Sequence, residues 1–353
     1  MISIEKKLFK SYLEVEERST HTIRQYMSIL NWFEEFLSLK GVSLQQLTEM
    51  DILTFQLWIK EKHLQTLFKQ KFKREPTAEE LKAFVKTSKE QLKGKSLYKY
   101  LTTIRKFLEV NDIQLNWNRI PTPKIEDNFN PEILSPEEIE LIAQTAEQYC
   151  TFKHRVISSN DCFNCPKGRS LHSSRQSKKR RYPDNCFYFD GLKLKAMILL
   201  AYEAALRTEE LCALRLKHLN LERREIFIER PLKHSQQQAV PLSEKLVSLL
   251  KEYLEKNKSV KNDEDILFPT KTGKKYHANN FATHVFRPIA SAAGFNVRYY
   301  ALRHSRATNL IKQGLDIGWV RRITRHRNIN NVLKYIHLTS DDVREQLERK
   351  NIF

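Results

Sequence analysis

The stretch "LKLKAMILLAYEAALRTEELCALRL", residues 192–216, is rich in leucine, alanine and other strong helix formers. It predicts a helix, and the apolar residues on most of its sides predict that this helix is buried. A buried helix needs a core around it. With 353 residues, the chain is long enough for two domains that each bury a core of their own.

Two amphipathic segments lie nearer the N-terminus. The segment "STHTIRQYMSILNWFEEFLSLKG", residues 19–41, repeats apolar residues at intervals of three and four and stops at Gly41. The segment "SLYKYLTTIRKFLEVND", residues 96–112, has an apolar face and a basic face. Thr77 and Glu80 form the pattern of a capping box between them. Because only 8 glycines interrupt such segments, we predict a mainly α protein with a small β-sheet.

The stretch 116–133 has three prolines and four asparagines and lacks periodicity, which is typical of an extended linker. We therefore predict a helical domain at 1–115, a linker at 116–133 and an α+β domain at 134–353. The second domain opens with a helix whose start is marked by Ser135 as N-cap, Pro136 in the first turn and Glu138 as capping-box partner.

Two segments of the second domain depart from the helical pattern. Residues 153–190 indicate a basic insertion, because nine lysines or arginines and one acidic residue lie between 153 and 181. The segment "REIFIERPLKHSQQQAVPLS", residues 224–243, predicts a β-hairpin, since β-type residues flank a polar loop.

The chain is strongly basic, with 61 Lys+Arg against 42 Asp+Glu and a formal net charge of +19. Nucleic acid is the partner that this charge favours, and a lysine-rich surface serving solubility is the alternative. No run reaches the roughly 18 to 20 apolar residues of a membrane helix, and the N-terminus lacks a signal-peptide core. We therefore expect a cytoplasmic protein without a membrane partner. Its 5 scattered cysteines do not indicate a disulfide framework.

Four segments of the second domain carry charged residues and a tyrosine at defined spacings. The segment "ALRTEELCALRLKHL", residues 205–219, with Arg207 and Glu210 at its charged positions, resembles the first conserved box of the tyrosine recombinase (phage integrase) family, small-Leu-Arg-x-x-Glu-Leu-x-x-Leu, and the other three segments follow in the order found in that family. The hairpin resembles the family's β-hairpin, in which a lysine stands eight residues before a Pro-Leu pair, as Lys233 stands before Pro241.

The other two segments lie nearer the C-terminus. In "YYALRHSRATNLIKQG", residues 299–314, Arg303 and His304 match the second box, His-x-Leu-Arg-His, and Tyr300 replaces its first histidine. In "ITRHRNINNVLKYIHL", residues 323–338, His326 and Tyr335 keep the nine-residue interval between the Leu-Gly-His segment and the nucleophilic tyrosine. The chain is identified as a member of this family, Xer-like, and similar to archaeal integrases with a Tyr-x-x-Arg second box.

The resemblance implies a role for each matching residue. Tyr335 is the nucleophile, because a phosphotyrosyl bond keeps the energy of the DNA phosphodiester and is reversible. Arg207 and Arg303 bind non-bridging oxygens of the transition state, since planar guanidinium groups match two oxygens at once. Lys233 protonates the leaving 5′ oxygen, and His326 hydrogen-bonds a phosphate oxygen.

Three further side chains complete the predicted site. Glu210 stands three residues after Arg207 and is expected to orient its guanidinium. His304 is expected to be a structural support. Tyr300 is a variant, because a phenol with a pKa near the reference value of about 10 is a poor base at pH 7, although it donates hydrogen bonds to phosphate. The sequence leaves open how Tyr335 loses its proton.

The predicted chemistry requires no metal or cofactor. The insertion nevertheless contains Cys162-x-x-Cys165 followed by His172 and Cys186, residue types that bind structural zinc. Free thiols in a basic loop are the alternative interpretation.

The function implied is a site-specific DNA recombinase or integrase, of the kind that mobile elements carry, acting through a 3′-phosphotyrosyl intermediate and a Holliday junction. The resemblance also implies that residues 1–115 form a core-binding domain, that double-stranded DNA is the partner, and that monomers or dimers assemble into a homotetramer on DNA. A non-catalytic DNA-binding or regulatory relative and a type IB topoisomerase-like enzyme are the alternatives.

Overall fold

The computed structural model of the chain describes residues 2–87, 92–125, 131–150, 155–156, 191–229, 238–257, 259–270, 272–336, 344 and 347–348. The contacts within the chain divide it into two units, Met1–Asn128 and Phe129–Phe353. The division falls inside the predicted linker at 116–133.

The first unit is helical, and the cap signals of the sequence mark its helices. Ser19 Oγ accepts a hydrogen bond from the Thr22 N–H, and Gly41 ends the same helix at φ 68°. The predicted capping box of Thr77 and Glu80 is formed. The helices are α1 (Ser3–Val15), α2 (Thr20–Lys40), α3 (Glu49–Phe72), α4 (Ala78–Thr87) and α5 (Gly94–Val110), with 3-10 turns at Leu44–Gln46 and Trp117–Arg119.

Aromatic rings hold the core of this unit together. The ring of Phe55 lies 5.3 Å from that of Phe33 and 5.4 Å from that of Phe36, both edge to face. Ile120, only 3% exposed, belongs to the same core. The first residues of the predicted linker therefore pack on the first unit instead of being extended. The predicted apolar stripe of residues 96–112 also faces this core, with Leu97, Leu101, Ile104 and Leu108 all buried.

The second unit is α+β, as predicted. Residues 192–216 form two helices instead of one, because the chain turns at Ala205, at φ 46°, and a new helix begins after Arg207. The helices are α6 (Pro136–Glu147), α7 (Gly191–Glu203), α8 (Thr208–Ala213), α9 (Glu244–Lys256), α10 (Ala278–Asn280), α11 (Arg287–Ala292), α12 (Tyr300–Lys312), α13 (Ile317–Thr324) and α14 (Asn330–Leu333), with a π-helical turn at Phe281–Phe286 and a 3-10 turn at Leu216–His218.

The predicted hairpin is present and belongs to an antiparallel sheet. Strand β4 (Glu225–Ile228) pairs with β5 (Gln238–Pro241), with Ile226 opposite Val240. Strand β3 (Leu219–Asn220) adds to the other edge of β4. A second short pair, β1 (Tyr149–Cys150) with β2 (Arg155–Val156), was not expected and stands where the predicted insertion begins.

The end of α6 and the start of α7 lie close together. An added Cβ on Gly191, the first residue of α7, would lie 2.0 Å from the carbonyl oxygen of Glu147, the last residue of α6. Helices α6 and α7 pack along each other directly beyond this point. The end of α6 and the start of α7 are therefore closely packed, and the insertion predicted at 153–190 lies almost entirely outside the described residues.

A small cluster beside the main core contains Tyr335. It is built from α12, α13, α14 and the residues that follow, and its members are Ala307, Leu310, Ile311, Val320, Val332 and Tyr335. Among the helices in the part of the chain that the structure describes, none combines the length and apolarity needed to cross a membrane.

Candidate active site

Arg207 lies in the turn between α7 and α8, where it is the N-cap of α8. Its guanidinium Nη1 donates to Glu210 Oε1 at 2.7 Å, and its backbone N–H donates to Glu210 Oε2 at 2.8 Å. The Glu210 side chain is fully buried. Burial alone would raise its pKa, but the neighbouring arginines outweigh burial and lower it. Glu210 is thus a carboxylate that holds Arg207 at two points.

Arg303 lies on α12 and is only 2% exposed. Its Nη1 donates to the Ala205 carbonyl at 2.6 Å. Its Nη2 donates to the Thr324 carbonyl and lies 3.2 Å from His326 Nε2. Burial and the nearby positive charges of Arg207 and Arg325 lower the pKa of Arg303 to about 9, so it stays charged at neutral pH. This guanidinium joins the turn at Ala205 to the end of α13.

His326 follows α13 and lies between Arg303 and Thr324. Its Nδ1 lies 2.9 Å from Thr324 Oγ1, which donates in turn to the Val320 carbonyl. Burial, with Arg303 as the next cause, lowers the pKa of His326 to about 3. The ring is therefore neutral near pH 7. In the tautomer with its proton on Nδ1, the ring donates to Thr324 and leaves Nε2 as an acceptor for Arg303.

Tyr335 packs against both histidines and is only 3% exposed. Its hydroxyl lies 2.8 Å from His304 Nδ1, and its ring stacks near that of His326, with centroids 6.0 Å apart at 28°. Burial raises the pKa of Tyr335, while Arg303 and Arg207 act in the opposite direction. The phenol oxygen thus contacts His304, and the ring of Tyr335 lies beside that of His326.

Tyr300, the residue at the position of the usual histidine, lies at the edge of the site. It is 43% exposed at the start of α12, and its ring centroid lies 6.1 Å from that of His304. Burial lowers the pKa of His304 to about 4, with a smaller effect from Arg303, so this ring is also neutral. The nitrogen that contacts the Tyr335 hydroxyl belongs to His304, the residue that the sequence treated as a support.

Arg325 is a member of the site that the sequence analysis missed. Its side chain is fully buried, and its Nη2 donates to Glu210 Oε2 at 2.8 Å. The available signal was a departure from the Leu-Gly-His pattern, in which Thr324 and Arg325 stand where leucine and glycine are usual. A charged residue at a glycine position indicated that the turn before His326 carries an additional contact.

Several predicted residues lie outside the described part of the chain. Lys233 is one of them, although the strands on either side of its loop are described. The candidate zinc ligands Cys162, Cys165, His172 and Cys186 are also outside it. Within the described ranges, no group of three or more His, Cys, Asp or Glu side chains is placed to hold a metal ion. The zinc site remains a prediction.

The residues brought together can act on a phosphodiester. Arg207 and Arg303 supply positive charge, neutral His304 and His326 supply ring nitrogens, and Tyr335 supplies a phenol oxygen, a group of the type that can act as a nucleophile. Guanidinium groups in a site that excludes water stabilise the charge that develops on phosphate oxygens. Fold and site together define the class of tyrosine recombinases.

The chain belongs to the phage integrase family. The model of the Phage integrase family matches residues 182–341, and the model of the Phage integrase N-terminal SAM-like domain matches residues 7–69. The two matches fall in different units of the structure and include the described site residues.

Named relatives and solved structures agree with this assignment. The chain is 23% identical over 347 residues to the tyrosine recombinase XerA of Pyrococcus horikoshii, covering 98% of this chain and 92% of the relative. It is 31% identical over 146 residues to the tyrosine recombinase XerC of Escherichia coli, covering 41% of this chain and 48% of the relative. The XerH site-specific recombinase, in a post-cleavage complex with a palindromic difH substrate, has a similar fold, with a TM-score of 0.60, 19% identity and coverage of 97% and 83%.

Proposed function

We propose that the protein is a site-specific DNA recombinase or integrase that cleaves and rejoins DNA strands through a 3′-phosphotyrosyl intermediate. The observation that carries this proposal is the burial of Tyr335 in a cluster of charged residues: its hydroxyl lies 2.8 Å from His304 Nδ1, and its ring lies beside that of His326, which is paired with Arg303. A tyrosine that only filled the core would not require buried charges around its hydroxyl.

In the proposed cleavage step, the Tyr335 oxygen forms a bond to the scissile phosphorus and the bond from phosphorus to the 5′ oxygen breaks. The 5′ oxygen leaves with a proton from Lys233. The phosphotyrosyl bond retains the energy of the phosphodiester, so attack by a DNA 5′ hydroxyl reverses the step and joins the strands. Two such exchanges form and resolve a Holliday junction.

The proposed stabilisation of the transition state comes from Arg207, Arg303 and His326. The two guanidinium groups bind the non-bridging oxygens, and His326 donates its Nδ1–H to one of them after Thr324 releases the ring. Preorganised donors of this kind contribute about 3 to 4 kcal/mol each. Glu210 supports the reaction by holding Arg207.

His304 is the proposed acceptor of the Tyr335 proton. Its Nδ1 lies within hydrogen-bonding distance of the phenol, and its neutral state leaves that nitrogen able to accept a proton in the tautomer protonated on Nε2. A DNA phosphate in the site would favour the imidazolium that forms. Tyr300, on the exposed rim, is proposed to donate a hydrogen bond to phosphate.

Double-stranded DNA is the proposed partner, supported by the net charge of +19 and by the DNA complex of the similarly folded XerH recombinase. The helical unit, predicted at 1–115, is proposed as the core-binding domain, joined through residues 116–133 to the catalytic domain at 134–353. Monomers or dimers are proposed to form a homotetramer on DNA. Exchange between two duplexes requires four strands to be cut, and each subunit carries one Tyr335 to cut one strand. The protein is proposed to act on DNA in the cytoplasm. No cofactor takes part in the proposed steps.

A nicked suicide substrate tests the proposal directly. Candidate sites come from repeats in the DNA that flanks the gene, and each duplex carries a nick close to the scissile phosphate so that the short 5′ product diffuses away. The wild-type protein is expected to accumulate a covalent protein–DNA adduct, and Tyr335→Phe is expected to form none. Tyr276→Phe, a tyrosine of the same unit whose ring packs on Phe281, is the matched control and should form adduct at the wild-type rate.

The alternatives give different results in the same experiment. A non-catalytic relative would bind the duplex without forming any adduct. A type IB topoisomerase-like enzyme would relax supercoiled plasmids that lack the flanking repeats. An adduct that survives Tyr335→Phe would show that another residue is the nucleophile.

A further inference from the structure

Arg325 stands at a position that is unfavourable for an arginine in two respects. It ends α13 in the left-handed conformation, at φ 54° and ψ 43°, which favours glycine. Its side chain is fully buried, and removing a guanidinium from water is unfavourable unless polar partners replace the water. Its contacts must therefore compensate for both effects.

The contacts of Arg325 are directed at one turn of the chain. Nη1 donates to the Ala204 carbonyl at 2.9 Å, and Nη2 donates to the Ala205 carbonyl at 2.9 Å. Nη1 also donates to the Ile323 carbonyl, at 2.7 Å, in its own helix. The guanidinium thus ties the end of α13 to the turn that precedes Arg207.

Arg325 also shares its partners with both proposed catalytic arginines. Glu210 accepts from Arg325 Nη2 at 2.8 Å through Oε2 and from Arg207 Nη1 at 2.7 Å through Oε1. The Ala205 carbonyl accepts from Arg325 at 2.9 Å and from Arg303 Nη1 at 2.6 Å. A displacement of Arg325 would therefore be transmitted to Arg207 and Arg303 together.

We propose that Arg325 is a positioning residue that fixes the turn at Ala204 and Ala205 and the Glu210 carboxylate, so that Arg207 and Arg303 are held where the scissile phosphate binds. The inference rests on the proposed function and deepens it. Its physical basis is preorganisation, because a misplacement of a catalytic group by about 1 Å can slow a reaction about 100-fold.

The first test compares Arg325→Gly and Arg325→Lys with the wild-type protein on the nicked duplex at saturating DNA. Glycine suits the left-handed backbone, so Arg325→Gly removes the guanidinium without adding backbone strain. It is expected to lower the rate of adduct formation about 100-fold and to change the dissociation constant for DNA less than about 3-fold. Arg325→Lys keeps the positive charge next to Glu210 but lacks the planar guanidinium with its several donors. Its rate should therefore fall between those of the wild type and Arg325→Gly.

The second test separates positioning from general destabilisation. A methylphosphonate at the scissile position replaces a charged non-bridging oxygen with a methyl group, which removes the charge that Arg207 is proposed to bind. On this substrate the rates of Arg325→Gly, Arg325→Lys and Arg207→Ala should approach that of the wild type. Arg327→Gly, at an exposed position two residues away, is the matched control and should react at the wild-type rate on both substrates.

Each outcome bears on the inference. Undiminished adduct formation by Arg325→Gly on the ordinary phosphodiester would overturn it, as would a defect of equal size on the methylphosphonate. If Arg325→Gly does not fold, as judged by thermal unfolding, the same two comparisons are decided with Arg325→Lys. A wild-type protein that forms no adduct would instead refute the proposed function, which is a distinguishable result.

Discussion

His304 and His326 lie on either side of Tyr335, and both rings are neutral near pH 7. Burial lowers their pKa values to about 4 and about 3, and the guanidinium of Arg303 adds to both shifts. A neutral ring can accept a proton, but the imidazolium that forms beside Arg303 would be repelled until a phosphate enters the site. We therefore expect His304, whose Nδ1 lies 2.8 Å from the phenol oxygen, to accept the Tyr335 proton once the phosphate is bound.

Substitution of His304 is expected to affect the proton step more than substitution of Tyr300. His304→Ala should slow adduct formation on the nicked duplex about 100-fold at saturating DNA, because positioned general bases contribute about 10² to 10⁴. Tyr300→Phe should slow it less than about 10-fold, since it removes one hydrogen bond to phosphate. Single-turnover rates with radiolabelled duplex measure both effects. A larger defect in Tyr300→Phe than in His304→Ala would assign the proton step to Tyr300.

At the scale of elements, the end of α6 and the start of α7 form a closely packed junction. The carbonyl of Glu147 approaches Gly191 so closely that a side chain has no room. The α7 helix that starts there leads directly into the turn holding Ala205 and Arg207. The position of the arginine turn thus depends on the packing of α7 against α6.

Gly191→Ala is expected to destabilise the protein by about 1 to 3 kcal/mol, the range for forcing extra atoms into a packed region. The cause is the overlap of the new Cβ with the Glu147 backbone, which cannot move as a flexible side chain could. Thermal unfolding of the full-length protein measures the loss. Gly273→Ala is the comparison: Gly273 has φ +75° and nothing within 4 Å of an added Cβ, so only backbone strain applies. A smaller loss for Gly191→Ala than for Gly273→Ala would contradict the close packing of the junction.

On the scale of the whole molecule, the chain has 61 basic and 42 acidic residues. Some of the basic side chains form ion pairs within the chain. Lys106 of the basic face of α5 is bonded to Glu16, and Arg105 pairs with Glu109. Lys95 on the same face is exposed. The net charge thus overstates the number of groups that can contact DNA.

Affinity for DNA is expected to fall steeply with salt. A protein that neutralises about six to ten phosphates loses about 10³ to 10⁵ in affinity between 50 and 200 mM salt, because bound counterions are released. Fluorescence anisotropy with a labelled duplex measures the slope of log affinity against log salt. Lys95→Ala should reduce the magnitude of this slope by about one if the basic face of α5 contacts the backbone. A loss below about 10-fold over that salt range would contradict a binding mode dominated by phosphate contacts.

The sequence by itself determined the helical class, the hairpin and the candidate residues. Helical periodicity, the cap signals at Ser19, Gly41 and Ser135, and the alternating hairpin strands are local properties, because they depend on residues a few positions apart. The interval from His326 to Tyr335 is local in the same sense. The resemblance carried by such intervals was sufficient to predict the family, which the comparisons confirmed.

Only the tertiary structure decided which side chains meet at the phenol. His304 and Tyr335 are 31 residues apart, and Arg325 and Glu210 are 115 apart, so their contacts depend on how α12, α13 and the turn before α8 pack together. The sequence left open which group takes the Tyr335 proton, whereas packing brought His304 Nδ1 to the hydroxyl. The buried position of Arg325 was likewise not visible in a pattern, because burial and charge pairing are properties of neighbours in space and not of neighbours along the chain.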